Sequence, residues 1–129
     1  MRDFDNNGTD DLVVVNMVSN SFTYWSGMGD GTFTDTDTYH NVDGAPYSVA
    51  AADFDGDGAI DLAIAIGFET FILVFPGNGD GTFGDPLTFQ VGSAPHFVVA
   101  ADFNGDGKID LAVANYYSDS VSILFNNSN

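Results

Sequence analysis

The sequence predicts an all-β protein built from a repeat of about 50 residues. Three acidic segments of one pattern begin at Asp3, Asp53 and Asp102, which are 50 and then 49 residues apart. A Gly-x-Gly-Asp-Gly-Thr-Phe segment at 27–33 recurs at 77–83 with the same spacing. No segment shows helical periodicity, and a period of this length is typical of repeat architectures made of small sheets.

Each full repeat contains four short apolar segments that we interpret as β-strands. They are too short for helices and rich in β-branched residues, and glycine-rich turns separate them. The segments lie at 12–17, 22–25 and 32–42 in the first repeat, at 48–52, 62–66, 71–75 and 82–91 in the second, and at 97–101, 111–115 and 121–125 in the third.

Four antiparallel strands in about 50 residues make one blade of a β-propeller. The chain holds about 2.5 such repeats. We therefore expect a single repeat array with a partial blade at 1–43, a full blade at 44–92 and a partial blade at 93–129. The first blade is expected to lack its innermost strand and the last blade its outermost strand. The acidic segments should join the first strand of a blade to the second.

The three acidic segments, called loops 1, 2 and 3 (residues 3–11, 53–61 and 102–110), have the pattern of a calcium-binding loop. Each carries Asp or Asn at relative positions 1, 3, 5 and 9, and Gly at position 6. Oxygen ligands at alternate positions, with a backbone carbonyl at position 7 and a sharp glycine turn, can surround a Ca²⁺ ion. Three loops at the repeat period predict about three calcium ions per chain.

The loops admit two other interpretations. An EF-hand needs a bidentate Glu at position 12, where these loops carry Val14, Ile64 or Val113. The aspartates could instead only cap turns, although capping would not require four carboxylates in loop 2. Magnesium prefers a tighter octahedral shell, so we expect calcium. Because Asn7 and Asn104 replace carboxylates, loops 1 and 3 should bind calcium somewhat more weakly than loop 2.

Three motifs resemble the FG-GAP/VCBS repeat family: Ala-Pro-x-x-Val at 45–49 and 94–98, Asp-Phe-Asn-Gly-Asp-Gly-Lys-Ile-Asp-Leu-Ala-Val-Ala-Asn at 102–115, and Gly-Asn-Gly-Asp-Gly-Thr-Phe at 77–83. That family includes the integrin α-chain propeller and fungal propeller lectins. The resemblance implies a calcium-dependent extracellular β-propeller. It places the metal ligands at Asp3, Asp5, Asn7, Thr9 and Asp11, at Asp53, Asp55, Asp57, Ala59 and Asp61, and at Asp102, Asn104, Asp106, Lys108 and Asp110.

Composition narrows the function further. The chain has 19 acidic and 2 basic residues, a formal net charge of −17 and no cysteine. Such acidity disfavours binding to nucleic acid or to an anionic membrane surface, and no apolar segment is long enough for a membrane span. No nucleophile–base constellation is visible, so we do not expect an enzyme. No signal peptide precedes loop 1, which suggests a processed piece, an excerpt, an engineered chain or an assembly subunit.

We expect incomplete blades to expose strand edges and apolar faces, which association would cover. The sequence therefore predicts an adhesion or lectin-like module that binds a glycan or protein. It would be completed by self-association into a ring or a filament, or be part of a longer protein. The alternative is a structural subunit of an extracellular fibre or sheath.

Several other side chains admit both a structural and a functional interpretation. Asp30 and Asp80 are expected to satisfy tight turns rather than to hold a second ion. His40 and His96 are isolated, and Tyr24 and Trp25 fit packing positions, with a ligand contact as the alternative for each pair. Tyr116 and Tyr117 precede a polar turn, where exposure to solvent is the alternative to packing. Asn126-Asn127-Ser128 matches the acceptor pattern for glycosylation at Asn126.

Overall fold

The structure, a computed structural model, describes residues 1–128, and in this range it contains strands and turns but no helix. The prediction of an all-β fold is confirmed. The ten strands are β1 (Leu12–Asn16), β2 (Ser21–Gly27), β3 (Phe33–Asn41), β4 (Ala45–Ala52), β5 (Asp61–Gly67), β6 (Phe71–Phe75), β7 (Leu87–Gln90), β8 (Pro95–Ala101), β9 (Asp110–Asn115) and β10 (Ser120–Leu124).

The strands form three antiparallel sheets, one for each repeat. Blade 1 has the order β1-β2-β3, blade 2 has β4-β5-β6-β7, and blade 3 has β10-β9-β8. Blade 2 therefore has all four expected strands. In blade 1 the place of the innermost strand is marked by a single bridge between Arg2 and Asp11. The sheets agree with about 2.5 propeller blades, and within residues 1–128 they do not close into a ring.

Two apolar clusters hold the blades together. Between blades 1 and 2, Phe22 and Tyr24 pack in one buried cluster with Leu62, Ile64 and Phe75. The side chains that alternate with these on β5 face the opposite way, because successive residues of a strand point to opposite sides of its sheet.

The cluster between blades 2 and 3 is built on small residues. Ala63 and Ala65 of β5 are fully buried there with Val98 and Val113 of blade 3. The large-and-small alternation in 62–66 therefore separates the two interfaces of blade 2. Every residue of β5 is buried, and each of its large apolar side chains contributes about 1.5–3 kcal/mol.

The glycine-rich turn between the third and fourth strands lies directly on the acidic loop of the same blade. A Cβ atom at Gly77 would overlap the carbonyl oxygen of Ile60, and one at Gly27 would overlap that of Asp10. Only glycine therefore permits this approach. The turn and the loop form one unit at the corresponding end of blades 1 and 2.

Blade 3 presents an apolar surface on the side that faces away from blade 2. This surface, called the outer face of blade 3, consists of Phe97, Val99, Val121 and Ile123, all of which are exposed. The same side of blade 2 is covered by blade 3.

Residues 1–128 contain no helix of the length and apolarity that a membrane crossing needs.

Candidate metal centre

Each acidic loop occupies the same place in its blade. Loop 2 connects β4 to β5, loop 3 connects β8 to β9, and loop 1 leads into β1. The second strand of each blade therefore starts directly from the last residues of its loop. This placement agrees with the expected connection between the first and second strands.

Hydrogen bonds within each loop fold the backbone around the side-chain oxygens. In loop 2, Asp53 accepts hydrogen bonds from Gly56 N at 2.7 Å and Gly58 N at 3.0 Å. Asp55 and Asp57 each accept one from the amide two residues further on, at 3.1 and 2.8 Å. Loops 1 and 3 repeat the pattern at relative positions 1, 3 and 5. The position-6 glycine has φ of +89°, +92° and +85° in loops 1, 2 and 3, which explains why glycine stands there.

Carboxylates converge in two of the three loops. Asp3, Asp5 and Asp11 in loop 1 each offer an oxygen atom, and these atoms lie within 4.8 Å of one another. The residues at the same relative positions 1, 3 and 9 of loop 2, Asp53, Asp55 and Asp61, converge in the same way.

Loop 3 differs from the other two at relative position 3. Asn104 stands there, so the described part of loop 3 gives no equivalent cluster of three carboxylates. The Asn104 side-chain oxygen accepts a hydrogen bond from Asp106 N at 2.9 Å and so keeps the loop geometry. The amide of Gly107 holds the pKa of Asp102 below its usual value.

The aspartate at position 9 joins the second strand of its blade to the start of the acidic loop and to the turn that follows the third strand. In loop 2, Asp61 is 2% exposed, and its two oxygens accept hydrogen bonds from Phe54 N and Gly77 N, both at 2.8 Å. Asp11 binds Phe4 N and Gly27 N in the same manner, at 2.7 and 2.8 Å. The carboxylate thus ties the start of the loop to the glycine-rich turn.

Blade 3 uses the same arrangement. Asp110 is fully buried and accepts hydrogen bonds from Phe103 N at 2.9 Å and Asn126 N at 2.8 Å. The Asn126 amide group donates to the carbonyl oxygens of Phe54 and Ile109. The side chain that the sequence offered as a glycosylation site is therefore engaged in the contact between blades 2 and 3.

Negative charge accumulates in loop 2. Burial raises the pKa of Asp61, the amides of Gly77 and Phe54 oppose the shift, and the charges of Asp55 and Asp57 add to it. Ionising Asp61 is therefore less favourable than ionising an isolated carboxyl group. A bound cation would remove this penalty, because an opposite charge within a few ångströms favours the ionised form.

Loop 1 has two hydroxyl partners that the sequence did not reveal. Tyr24 Oη and Ser26 Oγ donate to Asp5 Oδ2 at 2.9 and 3.1 Å. Burial acts to raise the pKa of Asp5, but these hydrogen bonds and that from the Asn7 amide leave it below its usual value. Burial, followed by the hydrogen bond to Asp5, raises the pKa of Tyr24.

These partners were missed because blade 2 has no counterpart for them. Val74 and Pro76 stand at the places of Tyr24 and Ser26, so the repeat comparison gave no signal of a shared role. Tyr24 is also buried between the blades, which agrees with the expected packing role.

The position-7 residues contribute to the loops through their backbone. The amides of Thr9, Ala59 and Lys108 donate to the position-5 side chain at 2.8, 2.8 and 2.9 Å. Thr9 Oγ1 also donates to the Gly27 carbonyl oxygen at 2.8 Å, and Lys108 Nζ contacts the Ser128 carbonyl oxygen. That their own carbonyl groups bind calcium stays a prediction.

Asp30, Asp80 and His40, which the sequence also singled out, make turn or packing contacts. Asp30 and Asp80 each accept hydrogen bonds from the amide and hydroxyl of the threonine two residues on, which supports the turn interpretation. These bonds, led by that from the threonine hydroxyl, lower the pKa of both aspartates. His40 stacks on Phe22 at 4.5 Å, and burial lowers the pKa of its imidazole.

A family model described as an FG-GAP-like repeat matches residues 3–64 and 64–113. No curated protein sequence matches the chain. Repeats of this family are structural and binding modules, are usually extracellular and often bind Ca²⁺. The two matches cover most of the chain and coincide with its repeated loops, so this protein belongs to the FG-GAP-like repeat family.

Proposed function

We propose that this chain is a calcium-stabilised, extracellular β-propeller repeat module that serves adhesion by binding protein or carbohydrate. The observation that carries the proposal is the repeated convergence of aspartates at positions 1, 3 and 9, next to a buried carboxylate that ties loop to turn. A cation held there would stabilise the junction between the first and second strands. Its binding free energy would then contribute to folding.

The donor set suits calcium. Loops 1 and 2 offer several carboxylate oxygens and no sulfur or imidazole ligand, and hard oxygen ligands are those that Ca²⁺ prefers. The ligands that we propose are those of the family motif in all three loops. Ten of the 19 acidic residues stand at those positions, so most of the acidity of the chain is explained as a metal requirement.

The proposed dependence on calcium suits a location outside the cell. Extracellular calcium modules typically bind with Kd of about 10⁻⁴ to 10⁻³ M, which requires the calcium levels found there. The family to which the chain belongs is usually extracellular. We propose the cell surface or the extracellular space for this chain.

Self-association follows from the exposed sheet faces. Val13 and Val15 of blade 1 pack against blade 2, so Val14 points to the other side of β1 and is exposed. That side corresponds to the face of blade 2 that blade 1 covers, and the outer face of blade 3 corresponds to the face that blade 3 covers. Two copies could therefore join head to tail in the manner of neighbouring blades. Such a contact joins different surfaces and gives a ring or a filament.

Light scattering in 5 mM calcium tests the proposed association. We expect a mass that is a multiple of the single-chain mass of 13.7 kDa. Val121→Asp places a charge on the outer face of blade 3, where Val121 is 65% exposed, and should give single chains. Val18→Asp adds the same charge at an exposed turn and should associate as the native chain does.

The size also separates the two candidate functions. A closed ring of defined mass, together with reproducible calcium-dependent binding on a glycan or protein array, supports the adhesion module. Long filaments by negative stain without any array signal support a structural fibre subunit. A native chain that remains single at micromolar concentration in calcium would overturn the proposed association.

A further inference from the structure

Five aromatic side chains form a closed chain of ring contacts across blades 2 and 3. Neighbouring ring centroids along the sequence Tyr47, Phe68, Tyr117, Tyr116, His96 and back to Tyr47 are 5.8, 6.4, 5.3, 4.8 and 4.4 Å apart. We call this group the five-ring cluster. The His96 ring lies nearly parallel to both tyrosine rings beside it, with interplanar angles of 14° to Tyr47 and 0° to Tyr116.

Irregularities in the strands place these rings together. A bulge between Pro46 and Ser48 redirects Tyr47, and a bulge between Pro95 and Phe97 redirects His96. The other three rings stand on the β5–β6 and β9–β10 turns. Tyr47 lies so close to Gly67 that a Cβ atom there would overlap its ring, so glycine is required beneath this ring.

The cluster is exposed, and one of its members stands in a strained conformation. Phe68, Tyr116 and Tyr117 are 62%, 63% and 61% exposed. Phe68 has φ of +70°, a region that bulky side chains rarely adopt because of steric strain. Glycine at this turn position would avoid both the strain and the exposed apolar ring. The ring at this position therefore has a cost in stability that folding alone does not explain.

The cluster lies far from the acidic loops. Tyr47 stands near the start of β4, whereas loop 2 begins directly after its end at Ala52. Six residues of extended strand separate Tyr47 from Asp53, a distance of about 20 Å. A ligand on the cluster would therefore not compete with calcium.

Charge in this region is negative only. Glu69 follows Phe68 in its turn, and Asp119 stands two residues after Tyr117 in the other turn. The only Arg and Lys side chains of the sequence lie elsewhere: Arg2 precedes acidic loop 1, and Lys108 is part of acidic loop 3. Aromatic faces attract cations through the ring quadrupole, and nearby carboxylates add to that attraction.

We propose that the five-ring cluster is a binding site for arginine or lysine side chains on a partner protein. The cation would lie against the exposed faces of Phe68 and Tyr117, with Glu69 and Asp119 as charge partners. This proposal rests on the proposed role of the chain as a binding module, and it gives that module a cationic protein segment as its ligand. We choose this partner by charge complementarity, because carboxylates flank the rings and neither Arg2 nor Lys108 is near them.

The test measures the binding of a hexa-arginine peptide by calorimetry, in 5 mM calcium and 0.15 M salt. Phe68→Gly and Tyr117→Ser remove one ring each and leave the net charge unchanged, so general attraction to an acidic protein stays the same. We expect each substitution to weaken binding at least fivefold. Tyr39→Ser removes an exposed ring outside the cluster and should leave binding unchanged.

The melting temperature separates loss of the site from loss of the fold. Phe68→Gly should melt in calcium at or above the native temperature, since glycine accepts the positive φ without strain. Native affinity in both Phe68→Gly and Tyr117→Ser would overturn the cationic site, as would an equal loss in Tyr39→Ser. Calcium-dependent melting together with either result would leave the proposed metal-stabilised module in place. A neutral glycan that binds through these rings while hexa-arginine does not would also overturn the cationic proposal.

Discussion

Asp61→Ala is expected to lower the free energy of unfolding by about 3–6 kcal/mol in calcium. Asp61 is buried, and its carboxylate accepts hydrogen bonds from Phe54 N and Gly77 N at 2.8 Å. Alanine leaves both buried amides without an acceptor, and a hydrogen bond to a charged group contributes about 1.5–3 kcal/mol. The loss is comparable to the whole stability of many small domains, so much of the variant should be unfolded at 25 °C.

Urea unfolding followed by circular dichroism measures this effect. Asp80→Ala is the matched control, because it removes an aspartate from the same blade whose hydrogen bonds stay within its own exposed turn. The control should lose far less stability than Asp61→Ala. Equal losses in the two variants would contradict the structural role assigned to the position-9 aspartate.

Replacing Asp55 and Asp57 together by asparagine should change stability in opposite directions with and without calcium. In EDTA, the substitution removes two negative charges beside Asp61, so we expect the free energy of unfolding to rise by about 1 kcal/mol. In calcium, it weakens the site in loop 2. At ten to a hundred times Kd, a lost site costs about 1.4–2.7 kcal/mol. The variant should therefore be more stable than the native chain in EDTA and less stable in calcium.

The control for this pair changes the charge equally at another place. Asp43→Asn with Asp85→Asn also removes two negative charges, and neither residue stands in an acidic loop. Its effect should have the same sign in EDTA and in calcium. If the loop 2 variant also shows one sign under both conditions, its carboxylates do not hold the ion.

Much of the fold could be predicted because acidic loops, glycine-rich turns and apolar strands recur in each repeat. The strands next to the acidic loops begin and end close to the predicted positions, since the loops fix their boundaries. The outer strand of blade 2 was predicted within 82–91, whereas β7 covers only Leu87–Gln90. Gly84 and Pro86 explain the difference, because proline cannot donate a ladder hydrogen bond and glycine weakens a strand.

The sequence was less informative about contacts that the repeat does not share. The carboxylate clusters of loops 1 and 2 could be predicted from spacing, because most of the hydrogen bonds that shape each loop lie within its nine residues. The hydroxyl of Tyr24 beside Asp5 depends on the pairing of β1 with β2, which the spacing of one loop cannot reveal. The five-ring cluster depends on two bulges and two turns from different blades, so no local pattern predicts it.

We propose that calcium bound in the acidic loops stabilises the blades. Differential scanning calorimetry of the native chain in EDTA and in 10 mM calcium tests it most directly, with magnesium at the same concentration to control for general charge screening. Two or three sites that each contribute about 1.4–2.7 kcal/mol should raise Tm by at least about 10 °C in calcium, and magnesium should raise it much less. A Tm in calcium that equals the Tm in EDTA would contradict the account.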